Sequence, residues 1–517
     1  MRQRATERAA VAQLVRAPDC GSGGRWFESP QLYQLDQLFM SDDVFIAVVP
    51  SPGSYEPTWH GAFRFDKANG YEGKFISTKS DLKPGPITFE APTELDRETL
   101  FCNIDGSSPA TAVWPQISLR TINFMGPGSR IVDAQLPVLI KGVHVGAEVC
   151  CIKSMILLSP LFAALFGIQG FRATMIPASH AFHIETRPDE NIKFTTKLWS
   201  ITIGTASSIG RPDHKLAPNI DLTGCAILEF DTNISPVQAL KLASQIEYFL
   251  SLVCLGFVSC ERLHCIFETP TSGGDLVEMP SSSGQTDKTR LEVIRAKRVA
   301  QTEVDLLKLP IRLQQVDFGI ALERFVEIFD SLEQSLGWYR IVMAEERSLE
   351  GKYSHAVRMI EALYKVLRID GQPDKGLLKV VDRICDKLPN DDDKCSLVTF
   401  INERVRPIFS RPWSLADVIK DLRTRYSDLK IIEALDERIV NKIRGKETHG
   451  SAKRLSARER KFMLYSYDLI AILYALVILE HCGIDRGLLL SELQRPSSHA
   501  LFFSSDYVER VQKELAI

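Results

Sequence analysis

Residues 431–484, IIEALDERIVNKIRGKETHGSAKRLSARERKFMLYSYDLIAILYALVILEHCGI, constrain the fold more than any other stretch. Ile431, Ile432, Leu435, Ile439, Val440 and Ile443 share one helical face, and the same apolar spacing runs for about six turns at the end of the stretch. Two helices flanking a polar connection are therefore predicted. In that connection Arg444 and His449 are separated by Gly445, Lys446, Glu447 and Thr448, an R-x4-H arrangement. Ser456 and Glu459 have the S-x-x-E spacing of a capping box, whose hydroxyl accepts an N–H of the first turn while the carboxylate reaches back. The second helix should begin near Ala457.

This stretch resembles the C-terminal part of HEPN domains, small helical bundles whose R-x4–6-H motif marks many metal-independent ribonucleases. The chain as a whole resembles ApeA-type defence proteins, in which a β-rich N-terminal domain precedes such a bundle. Of all ten histidines, only His449 stands in R-x4–6-H register with an arginine, Arg444, and the pair falls between the two helices where the family would put it.

Nothing in the bulk composition redirects that reading. A chain of 517 residues accommodates two or three domains, and 45% hydrophobic with 25% charged residues is ordinary globular material. The net charge of −3 gives no global attraction to polyanions, so a nucleic-acid contact has to come from a local patch. Eleven cysteines without a CxxC pair favour reduced thiols and a cytoplasmic location. Cys260, His264 and Cys265 are close in sequence, but VSCERLHCIFE alternates like a strand and sends the two cysteines to opposite faces, so no metal and no cofactor is implied. The apolar runs Met155–Phe171, broken by Pro160, and Ser466–Leu479, containing Asp468, read as buried helices rather than membrane spans.

Along the chain, residues 1–39 read as a mis-annotated start, with Met40 as the true first residue, or as a disordered or weakly helical leader. From Phe45 to Thr269 short segments rich in Val, Ile, Phe and Thr alternate with turn residues, among them VFIAVV, GAFRFD, GKFIST, PITFEA, TLFCNI and CAILEF. Many short strands imply a sandwich or a curled sheet. Two helices interrupt them, SPLFAALFG and Ser235–Leu255, the second with Ser235 as cap and Pro236 in the first position. Residues 270–290, rich in Pro, Gly and Ser, read as a linker, and a charged helix is expected from Arg290 to about Leu307. Phe318–Trp338 and Ser348–Leu367 show helical apolar spacing. The expected fold class is thus α+β: a β-rich, sandwich-like domain over 40–269, a linker over 270–290, and an all-α bundle of HEPN type over 291–517.

The residues of the motif suit metal-independent RNA cleavage. RNA carries its own nucleophile, the 2′-hydroxyl, so the reaction needs a base, an acid for the departing 5′-oxygen, and a cation against the charge that builds on the phosphate. Histidine titrates near neutrality and serves the first two roles, and the planar guanidinium grips two phosphate oxygens. One motif supplies one histidine for two roles, so a homodimer that brings two copies of Arg444 and His449 together is the natural solution, and the family resemblance implies the same composite cleft. Its apolar contact is offered by the Leu464–Leu479 helix, unless the internal core consumes that face. Lys446, Thr448, Lys453, Arg454, Arg458 and Lys461, with Arg460, are the candidate RNA-binding residues. Taken alone, that charge run also fits a solvated helix start.

Two functions follow. The first is an endoribonuclease of the anti-phage, abortive-infection type, acting on RNA such as tRNA, with a phage-derived trigger read by the β domain. The second is a non-catalytic module that binds RNA or protein, because Gly445 stands where the family often carries Asn, Asp or His. His355 reads as a surface residue, and Glu361 as a partner of Lys365 or an accessory polar group of the site.

Overall fold

The computed structural model describes residues 44–49, 57–66, 70–77, 98–105, 108–118, 131–146, 148–168, 171–176, 181–186, 191–210, 219–260, 262–268, 288–295, 309–343, 348–367, 413–448, 455–495 and 505–515, with a few single positions between them. The leader 1–39 and the PITFEA segment lie outside these. The architecture is α+β, antiparallel sheet in the N-terminal half and helices in the C-terminal part. The chain divides into two compact units: Met1–Ser159 with Asn191–Ala243 and Cys260–Val299, and Pro160–Glu190 with Ser244–Ser259 and Ala300–Ile517.

In the first unit the strand pairings close on themselves. The strands are β1 (Val44–Val49), β2 (Trp59–Asp66), β3 (Gly70–Ser77), β4 (Thr99–Ile104), β5 (Ser108–Val113), β6 (Gln116–Ser118), β7 (Ile131–Leu136) and β8 (Val138–Lys141). The ladder Val113↔Val138 between β5 and β8 continues as Gln116↔Gln135 between β6 and β7 without a slip. β5 and β6 are therefore one bent strand, turned at Trp114, whose φ of 52° lies in the left-handed region and whose N–H donates to the Glu98 carbonyl. Tracing neighbours gives β1, β2, β3, β7, then β6 running into β5, then β4, and back to β1. This ring is a six-stranded antiparallel barrel, which removes free edges where a two-layer sandwich would leave them. Ile46, Trp59, Phe63, Phe75, Leu100, Cys102, Val132 and Leu136 pack in its buried core. Gly61 and Gly73 permit the tight approach of β2 and β3, since a Cβ at either would run into the backbone carbonyl of Lys74 or Ala62.

Beyond β8 the sheet continues through β16 (Lys288–Arg295), β15 (Arg262–Glu268), β9 (Ile152–Leu158), β14 (Asn219–Ile234), β13 (Trp199–Gly210) and β12 (Ile192–Thr195). Two expectations are corrected. The run from Met155 begins inside strand β9, and only Pro160–Phe166 forms a helix, α1. β9 is paired on both sides, so its residues are buried almost continuously, and such a run cannot be told from a buried helix by periodicity. Residues 290–295, expected as the start of a charged helix, belong to β16, where pairing with β15 and β8 overrides the charged composition. The stretch expected as a linker thus connects two adjacent strands of one sheet, and its residues 270–287 lie outside those described.

The second unit takes in α1, the hairpin of β10 (Phe171–Ile176) and β11 (Ala181–Thr186), and the later half of α2 (Pro236–Val253). As the sequence predicts, Ser235 caps α2, its hydroxyl accepting from Gln238 N while the Gln238 amide oxygen accepts from Ser235 N. The remaining helices are α3 (Phe318–Met343), α4 (Leu349–Val366), α5 (Leu415–Arg425), α6 (Glu437–Thr448), α7 (Ala457–His481), α8 (Arg486–Gln494) and α9 (Ser505–Leu515), with a 3-10 turn at Lys430–Ala434. Phe249 of α2 packs edge-on against Phe318 and Phe325 of α3. Tyr339 of α3 stacks on Tyr474 of α7, whose hydroxyl lies 2.7 Å from Ser335 Oγ.

α7 is the central helix. Every residue from Leu469 to Leu479 is buried. The helix is long and apolar enough to cross a membrane, yet 78% of its most apolar window is buried within the protein. Its apolar circumference is thus consumed by internal packing, leaving Leu464 as its one exposed large hydrophobic side chain.

Candidate active site

The two helices predicted around the R-x4-H motif are α6 and α7, and the connection between them is shorter than the sequence suggests. Asp436 accepts hydrogen bonds from the N–H groups of Arg438 and Ile439 at the start of α6. Val440 and Ile443 anchor that helix in the core, and the Tyr353 hydroxyl of α4 donates to the Val440 carbonyl at 3.3 Å. α6 extends to Thr448, so Arg444 sits within a helix rather than in the polar connection. α7 starts at Ala457 with the predicted capping box: Glu459 N donates to Ser456 Oγ, and Ser456 N donates to the Glu459 carboxylate at 2.7 Å.

Arg444 points across to α4. Its Nη2 lies 3.0 Å from both carboxylate oxygens of Glu361, with the arginine side chain 48% exposed and the glutamate 17%. The guanidinium is held in one place and still open to solvent. Sequence inspection offered Lys365 as the partner of Glu361, because i,i+4 spacing is visible in a sequence and an ion pair across 83 residues is not.

The neighbouring lysines take a different direction. Lys446 Nζ lies 2.6 and 2.8 Å from the two oxygens of Glu459, and Lys442 Nζ lies 3.3 Å from one of them. At about 100° per residue, Arg444 is about 200° around the helix from each of these lysines. Glu459 is buried, and its carboxyl is held at about 2, first by the hydrogen bond from Lys446 and then by those from Ser456 and Lys442, against the opposing effect of burial. The cluster clamps the end of α6 to the start of α7 and fixes both ends of the segment that carries His449.

The candidate RNA-binding residues therefore separate. Lys446 is bound to Glu459 and its charge is neutralised there. Arg458, Arg460 and Lys461 are exposed on the first turn of α7, with Lys461 Nζ 3.8 Å from a Glu514 carboxylate oxygen of α9. Thr448 is the last residue of α6, and its side chain lies outside the described set, as do His449, Lys453 and Arg454. His355 is half-buried on α4 rather than a fully exposed residue. Lys442 went unnoticed in the sequence, although its i,i+4 spacing to Lys446 marks the two as one face. Cys265 is a buried thiol pushed up to about 12 by burial, and among the described residues no group of three His, Cys, Asp or Glu side chains is arranged to hold a metal.

Fold and site together define an α+β protein with a closed β-barrel, an extended sheet and a helical unit carrying a polar, ion-paired helix junction. No protein-family model, curated protein or solved structure matches the chain.

Proposed function

We propose that the helical unit is a HEPN-type, metal-independent endoribonuclease module in an ApeA-like defence protein of the cytoplasm. What carries this reading is Arg444: a half-exposed guanidinium on a helix, oriented by Glu361, five residues before His449 in the sequence. Arg444 would bind the scissile phosphate, and His449 would move the proton between the 2′-hydroxyl and the departing 5′-oxygen. Cleavage leaves a 2′,3′-cyclic phosphate and a 5′-hydroxyl, with no redox change and no net proton in that first step. Arg458, Arg460 and Lys461 extend the positive surface along the first turn of α7 for the rest of the RNA backbone.

Two histidines require two copies of the chain. Because Leu469–Leu479 is committed to the core of each copy, the contact between copies in this proposal falls at the exposed start of α7, near Leu464, rather than along its whole length. The β-rich unit would restrain the nuclease until a phage-derived trigger binds. Incubation of the purified full chain with tRNA and mixed RNA in EDTA tests the activity. Cleavage lost in His449→Ala and Arg444→Ala supports it, and equal behaviour of wild type and His449→Ala defeats it.

A specific observation also favours the second reading, a non-catalytic RNA- or protein-binding module. Among the described residues nothing lies within 4 Å of a Cβ added at Gly445, so no packing contact among them explains the absence of a polar side chain there. That reading predicts RNA affinity unchanged in His449→Ala, weakened in the Arg458→Gln/Lys461→Gln double variant, and no cleavage by any form of the protein.

A further inference from the structure

At the C-terminal end of α7, remote in sequence from the R-x4-H motif, side chains of four helices collect positive charge. Arg324 of α3 is exposed and lies against Gly483, where a Cβ would collide with its Nη1. Gly483 has φ +92°, so the glycine serves both the turn and the close approach of the guanidinium. Arg425 of α5 places Nη2 3.1 Å and Nε 3.2 Å from the Glu480 carboxylate, which also accepts from Tyr426 at 3.0 Å. Arg486 of α8 donates from Nη1 to the Arg425 backbone carbonyl at 3.4 Å, which brings a third guanidinium to the end of α5. His481 is exposed on the last turn of α7, next to Glu480.

Capping of α7 does not account for this gathering. Cys482 N donates to Ile478 O, Ile484 N to Leu479 O and Gly483 N to Glu480 O, so the last carbonyls of the helix are satisfied by its own backbone turn. Arg324 has no hydrogen-bond or ion-pair partner among the described residues. The nearby carboxylates are occupied: Glu480 by Arg425 and Tyr426, and Asp485 by the Leu488 N–H at the start of α8. His481, exposed on one side only, is held below its ordinary value, by partial burial first and then by Arg425 and Arg324.

We propose that Arg324, Arg425, His481 and Arg486 form a binding site for a phosphate-class anion. Guanidinium groups brought in from three helices to the end of α7, with the His481 imidazole on that helix, match an anion that offers several oxygens in different directions. Glu480 orients Arg425 for that ligand, and Gly483 makes room for the Arg324 guanidinium. The site does not depend on the nuclease reading: loss of cleavage in His449→Ala leaves it intact.

The test uses the full chain and inorganic phosphate. Titration calorimetry and thermal melts are run against sodium chloride at equal ionic strength, on wild type, Arg324→Gln, Arg486→Gln, the double variant, and Lys430→Gln as an exposed control. Expected are a phosphate-specific rise in the melting temperature of wild type and the control, at least a tenfold loss of phosphate affinity in each arginine variant, and no binding in the double variant. Arg324→Lys guards against misfolding and should keep measurable affinity. In wild type, phosphate should also raise the titration midpoint of His481 followed by NMR. A single-stranded RNA 12-mer that displaces phosphate identifies the ligand as an RNA backbone, and one that fails to do so identifies a free phosphate or nucleotide. The proposal is overturned if wild type shows no phosphate-specific effect, or if Arg324→Gln lowers the melting temperature without phosphate and leaves phosphate binding unchanged. Either result would reduce the arginines to complements of the helix dipole.

Discussion

Arg444 and Glu361, 83 residues apart, meet through Nη2 at 3.0 Å from each carboxylate oxygen, so the arginine of the R-x4-H motif is held by a helix that the motif does not include. The pair is half open to water, where screening and side-chain entropy leave it about 0.5–1 kcal/mol of stability. Arg444→Ala and Glu361→Ala should therefore each shift the unfolding free energy by about 1 kcal/mol or less in urea melts. Under the nuclease proposal, RNA binding should respond much more strongly. Arg444→Ala should weaken it at least tenfold, whereas Glu361→Gln, which removes a carboxylate competing with phosphate, should tighten it severalfold and slow cleavage by releasing the guanidinium from its orientation. Equal losses of binding in both variants would assign the pair to packing alone.

The clamp on Glu459 should be costlier to break. The carboxylate is buried and receives Lys446, Lys442 and the Ser456 N–H. Glu459→Ala should cost about 2–3 kcal/mol, below the full range for a buried pair because Lys442 is mostly exposed. Its folded pKa of about 2 lies below the ordinary 4.5. The stability it contributes is thus complete above about pH 4.5 and lost as the pH falls toward 2. Acid unfolding followed by circular dichroism should show a shallower decline between these values in Glu459→Gln than in wild type.

What the sequence makes legible depends on whether a signal is local. The cap at Ser235, the capping box at Ser456 and the apolar faces of α3 and α4 are encoded within a few residues, and they appear where the sequence puts them. Barrel closure is not local: it depends on β5 and β6 continuing through Trp114 and pairing with β7 and β8, a relation among segments that no periodicity records. β16 is a strand where the sequence predicts a charged helix, because its charged residues suit a helix when viewed without the two partner strands. The same limit applied at the site. The spacing of Arg444 was visible, whereas its contact with Glu361, and the opposite direction taken by Lys446, required the helices to be brought together.

Asp468 gives a pH dependence of the opposite sign. Burial against α4 raises its pKa to about 6, with Lys352 and Tyr467 partly offsetting the rise, so folding disfavours its charged form. In the folded protein it stays neutral up to about 6, so its contribution to stability is complete below the ordinary 3.8 and lost as the pH rises through about 6. Asp468→Asn should remove this loss and stabilise the protein by about 1–3 kcal/mol at pH 8, with little change at pH 4. Thermal melts at the two pH values check it. A variant less stable than wild type at pH 8 would mean that the Lys352 and Tyr467 contacts outweigh burial.

Gly445 separates stability from chemistry at the centre of the site. It lies inside α6 with no described atom within 4 Å of the position of a Cβ, and glycine in a helix interior costs about 0.5–1 kcal/mol relative to alanine. Gly445→Ala should stabilise the protein by that amount in urea melts. Under the nuclease proposal the alanine adds no polar group and should leave cleavage within about threefold of wild type, roughly 0.7 kcal/mol in barrier. Gly445→Asn gains less helix stability but supplies an amide next to Arg444, and it should raise the cleavage rate if a polar group there helps to hold the phosphate. An asparagine variant that folds, binds RNA as tightly as wild type and cleaves no faster would remove phosphate orientation from the roles available to that position.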